Sequence, residues 1–140
     1  MSVAAIKTQL LASLNAMGSL KAAFGYETGN PLGKYPFATL TIQEGDGEYA
    51  STAQNLRRHR FLIRVYQEQS KEGQGVATAE TIAVSVLDEL NAHLDLVTTL
   101  SGACKYARPT RWEASYMDRE LDTRILEIQV EAFELVASNR

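Results

Sequence analysis

Hydrophobic and polar positions alternate most regularly at 56–67, LRRHRFLIRVYQ. Phe61, Ile63 and Val65 recur at period two on one side, with Arg60, Leu62, Arg64 and Tyr66 on the other. This predicts a strand with one apolar face and one amphipathic, cationic face. A second strand is predicted at 37–43, where Ala38, Leu40 and Ile42 alternate with Phe37, Thr39 and Thr41. It is expected to run antiparallel to the first. Between them, 44–55 is acidic, polar and glycine-containing, and predicts a long loop.

Two stretches carry the helical period instead. Val3, Ile6, Leu10, Leu14 and Met17 form one stripe over 3–17, with Ser2 as N-cap and Gly18 as the stop. The stronger pattern covers 76–94, where Ala79, Ile82, Ala83, Val86, Leu87, Leu90 and Leu94 share a face free of glycine and proline. His93, near its end, suits the helix dipole and reads as structural.

The remaining pieces are shorter or less regular. Residues 21–26 predict a short extended segment. Turns are expected at 29–33, where GNPLG carries turn residues, and at 69–75. Leu100 should be tucked under a turn at 96–102. A strand at 104–112 is broken by Pro109, as an edge or a bulge would allow. A hairpin loop is expected at 113–120. A long strand at 122–136 has Leu126, Ile128, Val130 and Ala132 on its apolar face. Helix, strands, helix, strands, joined by hairpins, predicts an α+β fold: a mostly antiparallel sheet with both helices packed on one face.

Size and composition add limits rather than a function. A chain of 140 residues matches one domain, with 45% hydrophobic and 22% charged residues. A net charge of −3 argues against general nucleic-acid affinity. The single cysteine, Cys104, has no partner for an internal disulfide and reads as a small buried hydrophobe. No apolar run approaches a membrane span, and Lys7 and Gln9 interrupt the N-terminal apolar stretch, so neither a membrane anchor nor a signal peptide is expected.

No motif with a mechanism is present. Gly45-Asp46-Gly47 and Gly73-Gln74-Gly75 lack the continuation of a phosphate-binding loop. Glu44, Asp46 and Glu48 offer oxygen ligands but not the spacing of a calcium loop. No catalytic residue, cofactor or metal is therefore expected. What remains is a two-signed surface. Segment 44–55 has three acids and no base, while 57–64 has four arginines, Arg57, Arg58, Arg60 and Arg64. Glu127 and Glu131 lie on the polar side of the last strand. If that strand neighbours 56–67, these charges are cross-strand pairs; if not, they are complementary surfaces for another chain. Glu44, Asp46, Glu48, Tyr49, Arg57, Arg58, Arg60, Arg64, Tyr66, Glu127 and Glu131 are thus the candidates for a subunit interface.

The layout resembles the tail terminator (tail completion) proteins of long-tailed bacteriophages. The likeness covers about 3–136 and rests on the N-terminal helix, PFATLTI (36–42), the polar stretch after it and RFLIRVY (60–66). LDELNAHL (87–94), TLSG (99–102) and the last strand complete it. The resemblance implies a structural virion protein that caps the head-proximal end of the tail tube as a ring, commonly of six copies. Its partners would be itself, the tube protein and the head-side connector, with DNA passing through the lumen unread. Alternatives are another neck or head–tail joining protein, or a small cytoplasmic ligand-binding or enzymatic domain with Tyr66, His93, Cys104 and Trp112 around a pocket.

Overall fold

The computed structural model describes residues 3–18, 20–26, 37–51, 54–68, 74–96, 100, 104–118 and 123–137. In chain order the elements are α1 (Val3–Asn15), β1 (Ala22–Phe24), β2 (Phe37–Ser51), β3 (Gln54–Glu68), α2 (Gln74–Leu96), β4 (Tyr106–Asp118) and β5 (Thr123–Ala137). The strands form one sheet in the order β1-β2-β3-β5-β4. Among the described residues the β1–β2 pair is parallel and the β2–β3, β3–β5 and β4–β5 pairs are antiparallel. The fold class is the expected α+β.

Both helices lie on one face. Ile6, Leu10 and Leu14 of α1 and Val86, Leu90 and Leu94 of α2 share a core with Ala38 and Leu40 of β2. Phe61, Ile63 and Val65 of β3 and Leu126, Ile128, Val130 and Ala132 of β5 complete it. The period-two side chains of 61–65 are thus the sheet's contribution to the core, and each fully buried Leu, Ile or Phe contributes about 2 kcal/mol. The helices meet through Ser13 Oγ and His93 Nε2, 2.8 Å apart, so His93 holds a seam between helices. Asn15 Oδ1 accepts a hydrogen bond from Ala23 N at 3.1 Å and Lys7 Nζ donates to Gly25 O at 2.7 Å, which fix the short β1 against α1. Leu100 is buried in the main core, as expected, and adopts a φ of 50°, a left-handed conformation whose cost its burial must offset.

The polar loops expected at 44–55 and 113–120 are corrected. β2 continues to Ser51, β3 begins at Gln54, and β4 continues to Asp118. Segment 44–51 lacks apolar alternation because its stretch of ladder runs past the main core, where acids on β2 stand opposite arginines on β3. A register shift between Ile42 and Glu44 explains how. The extra residue, Gln43, flips the parity of the strand. Glu44 therefore faces outward opposite Arg60, and Gly45 and Gly47 turn to the helix-side face opposite His59 and Arg57. A Cβ on Gly45 would sit 2.9 Å from the Arg58 carbonyl oxygen, so the close strand approach requires glycine there.

α2 begins at Gln74, so part of the turn expected at 69–75 is helix. β4 is an edge strand with a register shift between Pro109 and Arg111, the setting expected for that proline. The turn at 29–33 and the Ser2 cap lie outside the described residues.

Candidate assembly surface

Because β3 and β5 are neighbours, the charges read from the sequence meet within the chain. On the outer face, Arg60 Nη1 lies 3.1 Å from Glu44 Oε1 of β2, and Arg60 Nε 3.2 Å from Glu131 Oε2 of β5. Arg64 Nε lies 3.6 Å from Glu127 Oε1. Gln129 Nε2 donates to Gln43 Oε1 at 2.8 Å, closing the face between the charged rows. The alternation of β3 directs Arg58, Arg60 and Arg64 outward and Arg57 and His59 to the helix-side face. The four arginines are therefore divided between the two faces of the sheet.

Each end of the outer face is aromatic. At one end Phe37 stacks on Tyr66 with centroids 4.6 Å apart, beside Ile125, with Phe24 edge-on to Phe37 at 6.1 Å. Tyr66 is buried in this cluster. At the other end Tyr106 stacks on Phe133 at 4.3 Å, with Arg58 5.7 Å from the Phe133 centroid and Arg108 5.5 Å from that of Tyr106. Two guanidiniums thus bracket an aromatic pair across β3, β5 and β4, an arrangement whose attraction comes from the ring quadrupole. Arg108, Tyr106 and Phe133 were not singled out by sequence reasoning. Their signal is the register, which periodicity within one strand does not carry.

On the helix-side face beyond the main core, Glu134 is buried. Its carboxylate lies 3.0 Å from His59 Nε2 and 3.6 Å from Arg57 Nη1. Arg57 is thereby tied to β5 as well. Asp46, Glu48 and Tyr49 are placed by backbone register, opposite Arg58, Leu56 and Asn55.

The pocket imagined around Tyr66, His93, Cys104 and Trp112 does not form. Tyr66 belongs to the outer-face cluster, Cys104 to the core on the other face, His93 to the helix seam, and Trp112 is half exposed on edge strand β4. Burial pushes the Cys104 thiol up to about 11, so it is a poor nucleophile near neutral pH. Among the described residues, no group of three His, Cys, Asp or Glu gathers as a metal site, and no helix is long and apolar enough to cross a membrane. The outer face does hold a shallow depression beside Gln43, Leu62, Arg111 and Glu127. It is open and polar, with Arg111 Nη2 bound to Glu113 Oε1 at 2.9 Å.

The geometry defines a class: a small α+β fold whose broad sheet face is lined with charge rows and aromatic stacks. Solved structures share this fold. A chain from the virion of a native gene transfer agent particle superposes with a TM-score of 0.57 at 16% identity, covering 98% of this chain and 100% of that chain. The sheath/tube terminator of PVC, an extracellular contractile injection system, in its extended state, superposes with a TM-score of 0.59 at 11% identity. That match covers 100% of this chain and 58% of the terminator. At these identities the likeness is one of fold, and at that level the resemblance to tail terminators holds. No protein-family model matches the sequence, and no curated protein matches it.

Proposed function

We propose that this protein is a structural, non-enzymatic subunit of a phage-type tail, a terminator that caps the head-proximal end of the tube. Copies assemble as a ring of about six, end tube polymerisation and present a surface to the head-side connector. DNA passes through the lumen without being read. The observation that carries this reading is the superposition of the whole chain on a sheath/tube terminator, with a TM-score of 0.59. The gene transfer agent chain, matched over its full length, adds a virion setting for the same fold. The outer face supports the reading as well, because arginine and aromatic side chains anchor interfaces.

The test is absolute mass by light scattering after size exclusion, at low and high salt, with negative-stain imaging of the largest species. An annular particle near six chain masses that dissociates as salt rises is expected. A strict monomer at every concentration and salt, with no rings on the grid, would overturn the ring.

A further inference from the structure

The two edges of the sheet are unlike. Among the described residues, β1 pairs with only Phe37, Ala38 and Thr39, so from Leu40 to Ser51 the far edge of β2 carries no strand. The opposite edge is β4. Over 40–51 the sequence has Glu44, Asp46 and Glu48 and no Lys or Arg; over 104–112 it has Lys105, Arg108 and Arg111 and no acid. The β2 edge is acidic over 40–51; the β4 edge is basic in its first half, and its acids, Glu113 and Asp118, come after 112.

The register joins them. Glu44 stands opposite Arg60, Arg60 opposite Glu131, and Glu131 opposite Arg108. This single row across four strands alternates in sign, starting with an acid at the β2 edge and ending with a base at the β4 edge. A second copy placed beside the first continues the alternation if β4 of one meets β2 of the next. Strand direction fits too. β2 and β5 run one way, β3 and β4 the other. Copies related by rotation about a ring axis keep their strand directions, so β4 and the neighbour's β2 meet antiparallel, the more stable ladder.

We infer that neighbouring copies join edge to edge, the acidic β2 edge at 40–51 of one against the basic β4 edge at 105–112 of the next. This rests on the ring reading above and names its contact. The alternatives within the same chain are worse. β2 against β2 opposes three carboxylates with three, and pairing the 105–112 segments of β4 with each other opposes cation to cation. Pro109 removes one donor from the β4 edge, so main-chain pairing forms on either side of it while the charges set the register. The contact is heterologous and continues from copy to copy until the ring closes.

Site-directed thiol cross-linking tests it. Glu44 and Arg108 are exposed, and Cys104 is buried with a raised pKa, so the unsubstituted chain serves as background. E44C and R108C are mixed and treated with a short bis-maleimide. The mixture should give a cross-linked dimer, and the double variant a ladder of higher species. Each single variant alone should stay at background, as should R108C mixed with T8C on α1. Circular dichroism confirms that each variant folds, and Q43C on the same edge repeats the test if E44C does not. Dimers of E44C alone would overturn the pairing in favour of a two-fold contact. Oligomeric mass with no link between 44 and 108 would overturn the edge contact and leave the ring. A monomer throughout would overturn both.

Discussion

Arg60 is held by Glu44 and Glu131, its guanidinium lying 3.1 Å and 3.2 Å from their carboxylates and tying three strands together. Glu44 is exposed and that half of the bridge is weak; Glu131 is mostly buried and that half is stronger. Arg60→Ala should therefore destabilise the chain by about 1 kcal/mol. Arg60→Glu should cost more, about 2 kcal/mol, by placing three carboxylates in one row, and E131R should recover part of that loss in the double variant. Urea denaturation with unchanged m-values checks both. Equal stability of R60A and the unsubstituted chain would show the bridge to be ornamental.

Glu134 presents a different case, because its carboxylate is buried against His59 at 3.0 Å. Removing one partner of a buried pair leaves the other without compensation. Glu134→Ala should cost about 3 kcal/mol, and Glu134→Gln markedly less, since its amide still offers a hydrogen-bonding group to the imidazole. The order of the two midpoints in a urea titration is the readout. A Gln variant as damaged as the Ala variant would mean that charge, not hydrogen bonding, matters at this site.

These two clusters also mark where the sequence was legible. Apolar period two at 61–65 and 126–132, and period 3.6 at 6–14 and 86–94, announced the core because each pattern faces it. The ladder beyond the core was not announced. Glu44, Gly45, Asp46 and Gly47 have turn composition, and the parity flip at Gln43 breaks the alternation that would have flagged a strand. Yet the acids at 44, 46 and 48 do keep period two, mirrored by Arg58 and Arg60 on the partner strand. Charge alternation was the available signal, and it becomes readable only once the partner and register are known. The same holds for the row that reaches Arg108, which exists only across strands.

Cys104 makes a pH prediction. Burial raises its pKa from 9.0 to about 11, so the folded chain holds the thiol proton where the unfolded chain releases it. Its contribution to stability is then complete below about pH 9 and is lost as pH rises from 9.0 through about 11. Native protein at pH 8 should react with a thiol reagent at least about tenfold more slowly than urea-unfolded protein, because both access and thiolate are lacking. A native rate matching the unfolded one would place Cys104 outside the core.

Gly45 and Gly47 give a matched pair on one face of one strand. A Cβ at Gly45 meets the Arg58 carbonyl oxygen at 2.9 Å, and backbone cannot move aside without opening the β2–β3 ladder. At Gly47 the nearest atoms, Arg57 Cγ and the Leu56 carbonyl oxygen, lie at an ordinary 3.7 Å. Gly45→Ala should therefore destabilise the chain by about 1–2 kcal/mol, the range for an overpacked site. Gly47→Ala should be neutral or stabilising by up to about 1 kcal/mol, because alanine restricts the unfolded chain more than glycine does. If β2 instead ended near Ile42 and 44–51 were a loop, the two substitutions would be equivalent. Thermal denaturation of the pair thus reads out directly whether the acidic segment is a strand, which is what an edge contact between copies requires.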